Sequence, residues 1–478
     1  MGETMKFDEG DRALAVDLDG TLVHTDLLYE SFLSAFKSNP LIVFSCLLWV
    51  LKGKSYLKGK LAERANVDVS VLPYNQAVLD YIRSSNQHVV LATATDARIA
   101  NQIGEHLEIF DDVHGTDTIG NLSGSRKTER LNSLFGKGGY DYIGNDFVDI
   151  PVWNDSAQAI IANAPASLQK KMKASHPDVV VLESPARSRI KTWIKALRIH
   201  QWLKNLLIFV PLIASHQILN PEKLLDTVLA FIAFGCLASG VYVLNDLLDL
   251  DSDRRHPRKC KRPFASGTIP VLHGLIAAPL LTIIGFGIAI SISKFFLAVL
   301  VSYYIITLAY SFRLKKVVMV DVLLLASLYT IRIVAGAAAI RTIPSFWLLA
   351  FSMFIFLSLA LVKRYAELHD ASVSGKEKAS GRGYAVSDLP LLQSLGASAG
   401  YLSVLVLAMY INSTEAISLY SRPIVLWMLC PVLLFWVSRL WIITHRGDMH
   451  DDPIVFAAKD KVSLIVVVLF GAILLAAI

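Results

Sequence analysis

The feature that most constrains this chain is a change of character near residue 200. Up to about residue 190, polar and apolar residues mix as they do in a water-soluble domain. Beyond it, apolar runs follow one another at lengths close to the roughly 20 residues that a helix needs to cross the ~30 Å hydrocarbon layer. Backbone polar groups inside lipid must be satisfied within the segment, so such runs predict helices. Nine candidate spans result: 203–220, 223–246, 271–291, 294–312, 317–340, 344–362, 390–412, 422–442 and 462–478. The third and fourth nearly touch and predict a tight hairpin. The fold class expected is multidomain: an N-terminal α/β, Rossmann-like domain, then an all-α polytopic bundle of about nine transmembrane helices.

Charge orients the bundle. One set of loops carries Arg254, Arg255, Arg258, Lys259, Lys261, Arg262, Arg313, Lys315, Lys316, Lys363, Arg364, Lys376, Lys378, Arg382, Arg439, Arg446, Lys459 and Lys461. The opposite loops carry Lys223, Lys294, Arg341 and Arg422. Eighteen against four marks the first set as cytosolic. With nine spans the N-terminal domain falls on that side and the C-terminus on the other. Met1 to Asp11 has no apolar stretch of the signal-peptide kind, which also predicts a cytosolic domain. The expected location is the inner (plasma) membrane. Cys46, Cys236, Cys260 and Cys430 are scattered and give neither a disulfide framework nor a zinc pattern. The basic residues follow membrane topology, so nothing points to nucleic acid.

The joint, residues 186–202, places Ile190, Trp193, Ile194 and Leu197 at helical spacing, with Lys191, Lys195 and Arg198 off that face. This predicts an amphipathic helix on an anionic leaflet; a solvated linker is the plainer alternative.

Carboxylates are costly at a bilayer and need partners. Asn245, Asp246, Asp249 and Asp253 nevertheless follow the second span directly. The acids are spaced i, i+3, i+7 and share one face if the helix continues. Like charges on one face call for a cation, and magnesium takes oxygen ligands while bridging to substrate phosphates. The basic run Arg254-Arg255-His256-Pro257-Arg258-Lys259-Cys260-Lys261-Arg262 suits the phosphates themselves; its bland reading is a positive-inside anchor. Weaker clusters are Tyr310, Ser311, Arg313 and Lys315 with Asp321, and Lys363-Arg364 with Glu367, Arg382 and Tyr384. Arg332, three helical turns beyond Asp321, can share its face, as a structural partner or as a ligand-binding group.

These residues resemble the UbiA superfamily of membrane prenyltransferases over about residues 190–478. The string NDLLDLDSDRRHPRKCKRPFASG, with LRIHQWLKN before it and YSFRLKKVVMVDVLLLASLYTIRIVAGA after it, is similar to the decaprenyl-phosphate phosphoribosyltransferase branch. The resemblance implies a magnesium-dependent transferase using a phosphorylated small-molecule donor and a polyprenyl phosphate or diphosphate lipid. Asp246, Asp249 and Asp253 would be catalytic metal ligands. Asn245, Lys204, Arg255, Lys259, Arg262, Lys315, Asp321, Arg332 and Lys363 would bind substrate. Many aromatic prenyltransferases have two acids in a second motif; here the region supplies Asp321 alone, with Lys315 and Arg332. Prenyl transfer to an aromatic acceptor, and a non-enzymatic lipid transporter, are the competing readings.

In the N-terminal part, Arg12 to Asp17 predicts a buried strand ending in Asp17-Leu18-Asp19-Gly20-Thr21. Two acids one residue apart at a strand end provide a nucleophile and a general acid. His88 to Ala92 precedes Thr93, Lys127 follows a Gly/Ser-rich turn, and Tyr140 to Ile143 leads into Gly144-Asn145-Asp146-x-x-Asp149. Strands alternating with helices predict a parallel sheet with its site at the carboxyl ends. The set resembles the haloacid-dehalogenase-like phosphatase superfamily over about residues 10–180, in a domain taken as 1–185 with a helical cap at about 23–80. By that resemblance Asp17 is the nucleophile and Asp19 the acid/base. Thr93 and Lys127 hold phosphate, while Asp17, Asp19, Asn145, Asp146 and Asp149 surround magnesium. Asn145 stands where the family usually has an acid, a departure that weakens the expected metal affinity, and hence activity, unless Asp146 or Asp149 compensates. Leu41 to Leu51 is apolar but too short to span; it is a core helix or a part of the cap that dips into the membrane surface. The domain is then either a phosphatase acting on the lipid product or a degenerate regulatory module.

Asp246→Ala is expected to abolish transfer in a membrane assay while leaving the chain inserted in the membrane. Wild-type turnover in that variant would overturn the assignment.

Overall fold

A computed structural model describes residues 12–116, 122–182, 188–375, 377, 382–449 and 452–478. The segment read for a signal peptide, Met1 to Asp11, lies outside the described residues, as do Lys376 and Lys378. The chain divides into two compact units, Met1–Leu197 with Tyr242–Ala278, and Arg198–Val241 with Pro279–Ile478.

The first unit is built on β1 (Ala13–Val16). After it come α1 (Leu27–Ser38), α2 (Ile42–Val50), α3 (Lys54–Ala62), α4 (Gln76–Ser84), β2 (His88–Asp96), α5 (Ala97–Leu107), β3 (Asp112–Thr116) and α6 (Ser125–Phe135). Then follow β4 (Tyr140–Gly144), α7 (Ile150–Asp155), β5 (Ala159–Ala162), α8 (Ala166–Ser175), β6 (Val180–Leu182) and α9 (Arg189–Ala196). The strands form one parallel sheet in the order β3-β2-β1-β4-β5-β6. Its side chains alternate between two cores. Leu14, Val16, Leu91 and Ile143 pack on one face with Leu79 and Ile82 of α4. Ala13, Ala15, Tyr140, Tyr142 and Ile161 pack on the other with Trp153 and Leu168.

The insertion after β1 is narrower than 23–80. The chain leaves at Val23, which bridges Tyr74, and returns where Asn75 N–H donates to the Leu22 carbonyl. Because α4 belongs to the sheet core, the inserted helices are α1, α2 and α3.

Helix α1 has two packed faces. Ala35 meets Ile42 of α2 and Leu61 of α3. Leu33 instead joins Val243, Leu247, Leu250, Phe264, Ile269 and Ala278 in a second cluster, flanked by Tyr29, Phe32 and Trp193. A buried ion pair reinforces this packing. Arg254 reaches Glu30 through two bonds of 2.6 and 3.2 Å, and donates to the Ala265 carbonyl. Thr25 donates to the same Glu30 carboxylate at 2.7 Å. Removing one partner of so buried a pair costs about 3–5 kcal/mol. Beside it, Gly267 adopts φ +68°, and a Cβ there would lie 2.4 Å from the His24 carbonyl oxygen.

The amphipathic joint forms a shorter helix than 186–202. Helix α9 ends at Ala196 and Arg198 turns left-handed (φ 51°). Trp193 stacks edge-on to Phe264, leaving Ile190 and Ile194 exposed.

The second unit is helical throughout. It begins with a 3-10 segment, Ile199–Phe209, and α10 (Val210–Ala214). Helix α11 (Pro221–Leu248) starts in this unit and ends in the first, where α12 (Leu250–Arg255) follows; α13 (Val271–Ile292) starts in the first unit and ends in the second. Next are α14 (Lys294–Phe312), α15 (Val320–Ala339), α16 (Phe346–Val373), α17 (Leu389–Ile411), α18 (Thr414–Leu419), α19 (Leu429–His445), α20 (Pro453–Lys459) and α21 (Lys461–Ala477). Among the described residues, seven helices are long and apolar enough to cross a membrane, and α20 with α21, bent by 84°, can supply an eighth crossing.

The expected span at 203–220 is therefore not an α-helix of crossing length. Its residues adopt the tighter 3-10 form up to Phe209 and only five residues of α-helix after it. At roughly 2.0 Å per 3-10 residue and 1.5 Å per α residue, residues 203–214 extend about 20 Å, and only the whole of Ile199–Ala214 comes to about 30 Å. The expectation for the C-terminus rested on nine crossings and loses that basis.

Gly267→Ala is expected to destabilise the folded chain by more than about 1 kcal/mol, since the new Cβ meets backbone as well as strain. Gly53, at φ +102° with nothing within 4 Å, is the control. Thermal midpoints in detergent should fall further for Gly267→Ala than for Gly53→Ala.

Candidate functional site

At the carboxyl end of β1 the buried strand delivers Asp17, whose N–H donates to the Ile143 carbonyl at 2.9 Å. Gly20 (φ +77°) turns the chain against Asn145, leaving no room for a side chain. The Lys127 ammonium donates to Asp17 at 2.6 Å and to the Tyr142 hydroxyl at 2.8 Å. Tyr142 in turn donates to Asp149 at 2.8 Å, and Asp149 accepts the Asn145 and Asp146 N–H groups at 3.1 Å. Asp19 accepts from Leu27 N–H at 2.8 Å and from the Thr95 hydroxyl at 2.5 Å.

Burial pushes Asp17 up to about 7 against the opposing pull of Lys127. Burial and the neighbouring Asp26 carboxylate raise Asp19 to about 6. Burial works against the charge of Lys127, but Asp17 and Asp149 outweigh it and its pKa is raised. Two carboxyls therefore exchange protons near neutrality beside a fixed cation, which suits nucleophile and acid/base work.

The two acids considered as replacements at Asn145 stand in different surroundings. Asp149 is buried in the network, whereas Asp146 is exposed and caps the turn that follows. Thr93 is fully buried, and its hydroxyl accepts the Thr95 N–H at 3.0 Å. Thr95 and Tyr142 were not singled out in the sequence. Thr95 lies three residues past the end read for the strand, because β2 runs on to Asp96 through a register shift.

In the same unit, the acid motif does not lie on one continuous helix. Helix α11 ends at Leu248, Asp249 is the cap between it and α12, and the face expected from i, i+3, i+7 spacing is interrupted there. Asp246 and Asp253 still converge, because the Arg262 guanidinium spans them at 3.1 and 2.6 Å. Both carboxylates are nearly fully buried and Asp249 is partly exposed. Of the other predicted residues, Asn245 is half-buried, Arg255 pairs with Asp68, and Lys259 is exposed. The oxygen donors of Asp246 and Asp253 fit magnesium chemically. Among the described residues no three His, Cys, Asp or Glu side chains converge as a ligand set.

In the second unit a different acid gathers the predicted cations. Asp452 accepts from Lys204 at 2.7 Å, Lys363 at 3.2 Å and the Tyr329 hydroxyl at 3.1 Å. Lys204 and the Arg332 guanidinium both lie over the Tyr329 ring, at 5.6 and 6.0 Å. Arg332 donates to Asn205 at 3.0 Å, while the buried Asn205 Nδ2 has no hydrogen-bond partner among the described residues. Asp452 was missed, although an acid before Pro453 at the start of an apolar stretch is a helix N-cap signal. Arg332 does not pair with Asp321, the structural alternative that its spacing allowed. Asp321 is fully buried against Arg364 at 2.7 Å and accepts the Tyr384 hydroxyl at 2.6 Å. The Lys315 carbonyl accepts from Arg382 at 3.2 Å.

Arg262→Ala leaves the Asp246 and Asp253 carboxylates without their shared cation and is expected to destabilise the chain by about 3 kcal/mol or more. If the acids take a divalent ion, added magnesium should restore thermal stability to the variant more than it changes the wild type. No restoration would speak against metal binding there.

Comparison with known proteins gives the context for these sites. Residues 206–465, more than half of the chain, match the UbiA prenyltransferase family. A Sinorhizobium fredii protein, y4nM, is 36% identical over 454 residues, covering 94% of this chain and 88% of its own length. So long a match runs through the N-terminal part as well as the helices. Nodulation protein NoeC of Azorhizobium caulinodans is 36% identical over 285 residues, 59% of this chain and 92% of that protein. Decaprenyl-phosphate phosphoribosyltransferase of Mycobacterium tuberculosis is 30% identical over 288 residues, again 59% and 92%. A solved UbiA homolog from Archaeoglobus fulgidus, bound to GPP and Mg2+, covers 59% of this chain and 99% of its own at 16% identity, with a TM-score of 0.47. The family assignment rests on the sequence matches: the chain belongs to the UbiA prenyltransferase family and is a multi-pass membrane transferase.

Proposed function

We propose that the helical part transfers a phosphoribosyl group from phosphoribosyl diphosphate to a polyprenyl phosphate. The observation that carries this reading is the excess of cations around Asp452 in the second unit, with Lys204 and Arg332 buried and Lys363 partly so. Among the described residues Lys204 and Lys363 share one acid, Asp452, Arg332 is held by Asn205 and Tyr303 and pairs with no acid, and Asn205 adds an unmatched donor. Such a surplus is expensive in a membrane protein unless an anion completes it. A phosphate-bearing substrate does so, and the 30% identity to decaprenyl-phosphate phosphoribosyltransferase supports that substrate class.

In the reaction the bond from the ribose anomeric carbon to the diphosphate oxygen breaks, and diphosphate leaves with the electron pair. A lipid phosphate oxygen forms the new bond to that carbon. Lys204, Lys363 and Arg332 stabilise phosphate charge, and Tyr329 and Asp452 fix the orientation of the lysines. Asp246 and Asp253 are the residues that would hold magnesium, and a magnesium ion bound there would supply charge neutralisation for phosphate oxygens.

For the first unit the reading is a phosphatase of the haloacid-dehalogenase type acting on the lipid-linked phosphosugar. The Asp17 carboxylate attacks phosphorus and displaces the sugar oxygen, which takes its proton from Asp19. Water then hydrolyses the aspartyl phosphate, with Asp19 accepting the water proton. Lys127 holds Asp17 in place at 2.6 Å. Carrying both steps on one chain raises the effective concentration of the intermediate.

The deciding assay incubates membranes with magnesium and either labelled phosphoribosyl diphosphate or labelled polyprenyl diphosphate. Label entering lipid from the first supports the proposal; label entering an aromatic product from the second overturns it. Phosphate release from lipid-linked phosphoribose should be lost in Asp17→Asn, and its absence in the wild type would refute the phosphatase reading.

The raised carboxyls also predict a pH dependence. Folding retains protons on Asp17 and Asp19 that the unfolded chain releases near 3.8. Their contribution to stability is full below that value and is lost as pH rises through about 6 and about 7. Thermal midpoints should therefore fall across this window, and fall less in Asp19→Asn.

A further inference from the structure

Helix α2 is the most conspicuous surface feature that neither reaction uses. One side of it, Ile42 with Cys46 and Trp49, packs toward α1 and α3. The other side is bare: Leu41, Phe44, Leu47, Leu48 and Leu51 are each 63% exposed or more. A contiguous apolar surface of this kind, on a helix and its flanking turns, marks an interaction site. With nine residues the helix is too short to span a bilayer.

We propose that α2 lies in the cytosolic-side leaflet, its bare face among acyl chains and its ends at the headgroups. Three observations select a bilayer over a protein partner. The first is covalent: the unit carrying α2 also contains Tyr242–Leu248 and the stretch from Val271 to Ala278, the ends of two membrane-crossing helices. That unit cannot leave the membrane face.

The second is packing. Helix α1 touches those span ends through Leu33 and touches the α2–α3 pair through Ala35. Packed helices lie roughly 8–10 Å apart, so α2 sits about two helix spacings from a span end, within reach of the same leaflet.

The third is charge. Residues 31–62 contain Lys37, Lys52, Lys54, Lys58 and Lys60 and no Asp, Glu or Arg. Lys37, Lys52 and Lys54 flank the bare face and are exposed. Anionic headgroups complement such a ring, each lysine near the surface contributing on the order of 1 kcal/mol. Ile190 and Ile194 of α9 add a second apolar strip to the same unit, beside Lys191 and Lys195. The docking does not depend on which reactions the two sites perform.

Site-directed spin labelling of the full chain tests this. Cys46, Cys236, Cys260 and Cys430 are replaced by serine, and single cysteines are introduced as Phe44→Cys, Leu47→Cys or Leu48→Cys, with exposed Lys170→Cys on α8 as the aqueous control. The labelled proteins are reconstituted into phosphatidylethanolamine–phosphatidylglycerol vesicles. Labels at 44, 47 and 48 should collide more with dissolved oxygen than with a water-soluble nickel chelate, and the label at 170 should show the reverse. Nickel access at 44, 47 and 48 equal to that at 170 would overturn the proposal. Shielding from both reagents would also overturn it, in favour of a protein cover, and dipolar broadening between labels would identify that cover as a second copy.

Discussion

Pairing of buried charge governs this molecule. Each deeply buried carboxylate described here is held by a cation: Asp17 by Lys127, Glu30 by Arg254, Asp246 and Asp253 by Arg262, Asp321 by Arg364, and Asp452 by Lys204 and Lys363. Such pairs add little net stability compared with apolar packing, since desolvation opposes their attraction. Their value lies in register. A carboxylate that cannot be left alone fixes where its partner must be, and hence how a loop or helix end is set.

Two kinds of pairing can be told apart. Glu30–Arg254 is one acid to one arginine, and Asp321 and Glu367 meet Arg364 and Arg382 two to two, with further donors closing each site, as expected of structural links. Around Asp452 the cations outnumber the acid, and around Asp246 and Asp253 the acids outnumber the cation. The unbalanced clusters are the ones able to take a charged ligand. The sequence clusters that carried the transferase resemblance contribute to both kinds, so charge density alone did not separate them.

Much of the architecture was legible because its causes are local. The strand ending at Asp17, the parallel sheet and the long apolar helices follow from periodicity and length. What was not legible depends on distant partners. Nothing near Lys204 in the sequence announces Asp452, nearly 250 residues away, and helical spacing made Asp321 look like a partner for Arg332. Spacing also implied an unbroken helix through Asp249, where α11 gives way to α12. The crossing expected at 203–220 was judged by α-helical length, a test that a 3-10 segment does not meet.

The cluster joining Leu33 to Val243, Leu247 and Phe264 has an evolutionary corollary. The match to the transferase family begins at residue 206, yet residues 242–278 fold with the chain that precedes it. A gene split at the family boundary would give one product ending in an orphaned Glu30 and a bare α1 face, and another beginning near Lys204 with a solitary Arg254. Positions 30, 33, 254 and 267 are thus coupled through packing and charge, and their substitutions should track each other wherever this packing is kept.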